Sequence, residues 1–296
     1  MRPKLLVCFP FDAAPDPTGW SGGKPLSSWA AAVEEAGFDG IAVTDHPFPS
    51  SEWLATGHHA LDPLIALTAF AGSTERVRLI TDILVAGYRN PYLLAKSIVS
   101  LDVLSGGRLT VGMGGGYQEA EFKALGAVYA GRGRRFDAAL DAIYDALTGN
   151  HVAQELGPYP TPGNTMLPRP IQRPHPPFWI GGNSDAAMRR AAHKADGWMP
   201  FPQPRSRVAV SGSPALGSLD ALAVRIGEAR AMRSSVGLPP LEFCSGIFAR
   251  VTDADLAPLT EEYGDAGVTW LRLLAPGATM AQSIERVHEL ANALCH

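Results

Sequence analysis

Leu79–Phe122 reads LITDILVAGYRNPYLLAKSIVSLDVLSGGRLTVGMGGGYQEAEF, and this stretch decides the fold. An apolar run leads into an irregular turn, and Pro91 then opens an amphipathic helix. A second apolar run follows and ends in glycines. This is a β-loop-α-β unit, the element from which parallel sheets are built.

Working outward, strand-like runs alternate with helical patterns along the whole chain. Lys4–Phe9 and Gly40–Val43 read as strands, each followed by a helix, over Ser27–Ala36 and Asp62–Ala71. Asp62 is placed to cap the second of these, with Pro63 at its first position. Val77–Thr81 and Arg108–Gly112 are the strands of the opening unit, and Pro91–Leu104 is its helix. A long helix runs from Arg134 to Leu147. Further strands are expected at Phe178–Ile180, Gly197–Phe201, Leu241–Val251 and Val268–Leu274. The helices after them cover Ser184–Ala195, Leu219–Ser235, Ala254–Tyr263 and Thr279–Leu294.

Between the fourth helix and the fifth strand the pattern breaks. Residues 149–177 hold eight prolines and little periodicity, so they read as a long surface loop or insertion. Eight strands, each followed by a helix, favour a single closed (β/α)8 barrel spanning residues 1–296, with an open doubly wound sheet as the alternative. The length of 296 residues suits one such domain, typically about 250 residues plus insertions.

With 46% hydrophobic residues the chain can bury a large core. A net charge of −4, spread along the sequence, gives no reason to expect nucleic acid or an anionic membrane as partner. The N-terminal apolar run is too short for a signal peptide, and no membrane-spanning run occurs, so a cytoplasmic protein is expected. Cys8, Cys244 and Cys295 lie far apart and read as free thiols.

In a barrel, chemistry sits just beyond the C-terminal ends of the strands. The residues there include Pro10 and Phe11, Thr44-Asp45-His46, Thr81-Asp82-Ile83, Gly114–Tyr117, Gly181–Ser184 and Met199–Phe201. His46 ends a strand, where an imidazole suits general acid–base work or packing. His58, His59 and His175 read as surface-loop residues. Gly112–Gly116 is dense in glycine but lacks dinucleotide-binding spacing; it either admits a ligand to the backbone or is a tight turn. Gly181-Gly182-Asn183-Ser184 offers backbone N–H groups and a positive helix end to an anion. No metal-binding spacing is present; Asp45 with Asp82 is the thin exception.

Three groups of residues carry a resemblance to a known family. They are the opening stretch, Thr44-Asp45-His46, and PPFWIGGNSDAAMRRAAHKADGW at Pro176–Trp198. Together they resemble the luciferase-like monooxygenase superfamily, and most closely its coenzyme F420 (deazaflavin)-dependent oxidoreductases. The matching pieces cover about two-thirds of the barrel: Arg89-Asn90-Pro91 with Leu93–Lys96, Leu101–Arg108, the glycine turn with Tyr117, Glu121 and Phe122, and Gly181-Gly182 with Asp196-Gly197-Trp198.

The resemblance implies a (β/α)8 barrel with an insertion, a homodimer, and a non-proline cis peptide between Asp82 and Ile83 against which the tricyclic ring lies. It implies catalytic roles for His46 and Tyr117. It implies cofactor contacts from Thr44, Asp82, Ile83, Gly114, Gly115, Gly181, Gly182 and Asn183. Phe11, Trp20 and Tyr117 are expected to face the substrate. Asp82 departs from the small or neutral residue usual there, since a carboxylate beside an electron-rich ring needs to be turned away or neutralised. Few basic residues fall at strand ends, so a small apolar or neutral organic substrate is expected. The activity implied is hydride transfer with F420. The alternatives are an FMN-dependent monooxygenase using reduced FMN and O2, and a non-catalytic flavin or deazaflavin carrier.

Overall fold

The computed structural model describes residues 1–10, 21, 23–55, 59–248 and 252–294. Eight parallel strands close into a ring: β1 (Lys4–Cys8), β2 (Gly40–Val43), β3 (Arg78–Thr81), β4 (Leu109–Gly114), β5 (Phe178–Gly181), β6 (Gly197–Met199), β7 (Glu242–Gly246) and β8 (Trp270–Leu274). Each pairs with its sequence neighbour, and β8 closes on β1 through Lys4↔Trp270 to Cys8↔Leu274. The (β/α)8 barrel expected from the alternation is the observed fold, and the open sheet is excluded.

Two cores follow from the period-2 alternation of the strands. Outward residues such as Val7, Ile41, Leu79, Val111 and Leu271 pack under the helices. Inward residues fill the lumen: Leu6, Cys8, Ala42, Ile80, Trp179, Met199, Cys244 and Trp270, with Ile83 above them. Cys8 and Cys244 are free and buried, and Cys295 lies outside the described residues.

Local sequence sets the helix ends. Asp62 Oδ1 accepts the amides of Leu64 and Ile65 at 3.0 and 3.2 Å, starting helix Pro63–Ala71. Asn90 does the same for Pro91–Leu104, and Ser184 caps Asp185–Lys194 through Ala187 N. Strand β4 runs two residues further than its sequence pattern suggests, because Met113 and Gly114 pair with Leu84–Val85, a short strand after β3. Strand β7 is shorter than expected and ends at Gly246.

The 149–177 segment is not a plain loop. Val152–Gln154 and Thr161–Asn164 form an antiparallel hairpin. Its return path is pinned by the buried Asp102, which accepts from Ile171 N at 2.6 Å and Gln172 Nε2 at 2.8 Å. His175 is half-buried, stacked on Tyr144 with ring centroids 4.7 Å apart, so it is a packing residue and not a surface one. No described helix is long and apolar enough to cross a membrane.

Candidate active site

A cavity of about 860 Å³ opens at the C-terminal end of the barrel. Of the residues expected there, Thr44, His46, Asp82, Ile83, Gly115, Tyr117, Gly181, Gly182 and Asn183 line it. Gly114 does not, and Phe11, Trp20 and His58 lie outside the described residues.

The loop after β2 is fixed by two acid-centred clusters. Asp45, almost fully buried, accepts a bidentate pair from Arg89 at 2.6 and 2.9 Å and the Val85 amide at 3.0 Å. Arg89 also reaches the cap residue Asp62 at 2.9 Å, tying β2, β3 and a helix start together. Asp45 is thereby a structural anchor, spoken for by a guanidinium.

The neighbouring His46 meets Glu121, from the short helix Glu119–Ala124, at 3.2 Å through Nδ1. Glu121 has no solvent exposure and accepts two further bonds, from Phe48 N at 2.8 Å and Tyr88 OH at 2.9 Å. Burial pushes its carboxyl upward, but the bonds from His46, Phe48 and Tyr88 outweigh it, and the net shift is below the ordinary 4.5. Glu121 is therefore ionised, and His46 donates to it from Nδ1. Trp53 and Tyr117 flank the imidazole with centroids 5.3 and 6.2 Å away. Burial pushes the Tyr117 phenol up to about 12, so it stays protonated across the physiological range.

The floor is built on Ile83, and the peptide between Asp82 and Ile83 is cis, as the resemblance implies. The glycines of β4 and β5 make room for this side chain. A Cβ on Gly181 would lie 2.6 Å from Ile83 Cδ1, and one on Gly114 would strike the same atom. A Cβ on Gly112 would strike Thr81 O. Much of the glycine turn thus serves close packing around Ile83, which covers Gly114 and removes it from the cavity wall. The Asp82 carboxylate is neutralised by Arg272 Nη1 at 2.5 Å. Burial and the Asp82 charge push the adjacent Cys8 thiol well up, so it is not a thiolate.

At the anion candidate Gly181–Ser184, the Asn183 side chain is fully used. Its Nδ2 donates to Phe201 O and Pro214 O, and its Oδ1 accepts from Phe201 N. Gly182 N donates to Met199 O. The amides left without an acceptor among the described residues are those of Asn183, Ser184, Asp185 and Ala186, at the helix start. Arg190 and Arg207 stand nearby on the cavity wall with Arg132 and Arg272. Of these four arginines, Arg190 is paired with Asp137 and Arg272 with Asp82; none lies at a strand end, where the sequence pattern would reveal it.

The sequence reading missed Arg272 and Trp53 altogether and gave Glu121 no function. Glu121 carried a signal, since it lies within the matched glycine-turn motif. Trp53 and Arg272 carried none at the level of a single sequence.

Known proteins resemble this chain in sequence and in fold. An uncharacterized protein of Mycobacterium tuberculosis is 32% identical over 183 residues, 57% of this chain and 62% of the relative. An F420-dependent glucose-6-phosphate dehydrogenase of Microbacterium testaceum is 31% identical over 187 residues, 60% of this chain and 52% of the relative. The matches thus span little more than half the length of these curated relatives. Among solved structures, a monooxygenase from Streptomyces bottropensis superposes with a TM-score of 0.79 at 21% identity, covering 99% of this chain and 98% of that one. A coenzyme F420 dependent tetrahydromethanopterin reductase from Methanopyrus kandleri does so with 0.72 at 15% identity, covering 100% and 99%. These two likenesses concern the fold. The sequence profile of luciferase-like monooxygenases matches residues 4–214, most of the chain, and the protein belongs to that family.

Proposed function

We propose that this chain is an oxidoreductase that transfers a hydride between coenzyme F420 and a small organic substrate. The observation that carries the reading is His46, held through Nδ1 by the buried Glu121 at the mouth of a barrel-end cavity. Relatives named F420-dependent glucose-6-phosphate dehydrogenase support the cofactor class. The sugar phosphate in that name is not carried over.

The residues present fit such a cofactor. Thr44 and Ile83 offer a wall and an apolar floor. The amides at the start of helix Asp185–Lys194, with Arg190 and Arg207, suit a phosphate. When bound, the deazaflavin supplies a two-electron hydride donor or acceptor. The protein's share is positioning and one proton. Because Glu121 fixes the Nδ1–H tautomer, the proton exchanged with substrate belongs to Nε2 of His46. Tyr117 is a second protonated group facing the cavity, suited to donate and not to accept. Trp53 and Tyr117 narrow the water-accessible side of the imidazole.

The test is turnover of reduced F420 with a panel of small carbonyl compounds by the wild type and His46→Ala. A loss of about 100-fold or more with F420 affinity retained supports the proton role; unchanged turnover removes it. Turnover of reduced FMN and O2 instead favours the monooxygenase reading that the family name suggests. Cofactor binding with no turnover from any donor favours a carrier.

A further inference from the structure

Arg272 occupies a position where barrels ordinarily place a branched apolar side chain. Trp270, two residues earlier on β8, faces the lumen, so Arg272 faces it as well. A cation there is tolerated only when paired. Asp82 supplies the pair, its Oδ2 meeting Arg272 Nη1 at 2.5 Å and also taking the Cys8 thiol at 3.7 Å. The Asp82 charge, working against burial, raises the guanidinium above its ordinary value and keeps it cationic.

The pairing uses one nitrogen only. Nε and Nη2 have no acceptor among the described residues, although Arg272 borders the cavity with 26% of its side chain exposed. The room for that edge comes from Gly246, its register partner on β7. A Cβ on Gly246 would lie 3.0 Å from Nη2 and 3.3 Å from Nε. Nη1 is thus held by Asp82, while the Nε–Nη2 edge lies over Gly246 in a residue that borders the cavity, with two donors still to be met. With Asp82 balancing the charge, the edge is a directional donor pair and not a general anion trap.

We infer that Arg272 is a ligand-binding residue, positioned by Asp82, whose Nε–Nη2 edge takes a ligand oxygen that bears or gains negative charge. Two oxygens have this chemistry: a dione oxygen of the deazaflavin ring, and a carbonyl or carboxylate oxygen of the substrate. Only the identity of the oxygen rests on the proposed hydride-transfer function.

The experiment follows the Arg272 Nε–H signal by 15N NMR, assigned by its disappearance in Arg272→Lys, while the protein is titrated with F420 and, separately, with acetate. Displacement of that signal by F420 identifies the ring oxygen. Displacement by acetate identifies a substrate oxygen. Dissociation constants for whichever probe binds are then measured for Arg272→Lys and for Asp82→Asn/Arg272→Met, which leaves no buried charge unpaired. Both variants are expected to bind about tenfold more weakly, the loss of one charge-assisted hydrogen bond. The inference is overturned if neither probe moves the signal, or if both folded variants bind within about twofold of wild type, a difference too small for such a bond. Wild type that fails to bind F420 counts against the proposed function, while the acetate arm still decides Arg272.

Discussion

Replacing Glu121 by Gln removes one charge and almost no volume from a site with no solvent exposure. The carboxylate accepts from His46 Nδ1, Phe48 N and Tyr88 OH. A glutamine has one acceptor oxygen, so either its NH2 confronts the Phe48 amide or, turned over, it displaces the Nδ1–H tautomer of His46 and the proton of the Tyr88 hydroxyl. An unsatisfied buried donor costs about 1–3 kcal/mol, and the bonds that survive lose their charge assistance. Together these give about 2–4 kcal/mol, which for a domain of this size lowers Tm by about 3–6 °C. The pH dependence has a definite sign. The folded carboxyl titrates below its ordinary 4.5, so its stabilisation is complete above that value and is lost as pH falls through the folded one. Thermal unfolding scanned from neutral to acid pH should therefore show a steeper acid decline in wild type than in Glu121→Gln. Long-range 1H–15N spectra should show His46 protonated at Nδ1 in wild type and a tautomer mixture in the variant. Equal Tm values at neutral pH, with the same acid slope and the same tautomer, would refute the argument.

Three further outcomes are expected. Arg89→Met leaves Asp45 buried beside a single amide donor and should cost about 3–5 kcal/mol, measured by urea unfolding, with part of the loss recovered in Asp45→Asn/Arg89→Met. Gly112→Ala places a methyl against the backbone at Thr81 O and should yield little soluble protein, whereas Gly181→Ala meets only the Ile83 side chain, Cδ1 at 2.6 Å and Cγ2 at 3.1 Å, and should fold with Ile83 displaced; equal expression of both would contradict the packing argument. Tyr117→Phe should leave F420 affinity intact and lower turnover, because the phenol, titrating near 12, serves as a donor only; unchanged turnover would exclude that role.

The fold was legible because its signals are local and repeated. Strands β2 and β3 and helices Pro91–Leu104 and Leu219–Ser235 lie where the apolar periods, Asn90-Pro91 and the glycine punctuation put them. The order of the 149–177 segment was not legible, since Asp102 and Arg78 reach over from elsewhere to hold its return path at Ile171 and Gln172, which its own pattern does not show. The same distinction runs through the site. His46 and Ile83 sit at strand ends and follow from sequence position. Arg272 reaches Asp82 across 190 residues of chain, and Glu121 reaches His46 across 75; only closure of the barrel brings them together. The glycine turn shows the converse. Its density was visible, but its role in seating Ile83 depends on a side chain thirty residues earlier.

The central claim is that the barrel-end cavity takes a deazaflavin. It is tested most directly by titrating the purified protein with F420 and with FMN and following quenching of intrinsic tryptophan fluorescence, Trp53 lying on the cavity wall. Saturable binding of F420 with markedly weaker binding of FMN is the predicted result. Tight binding of FMN with no response to F420 would contradict it.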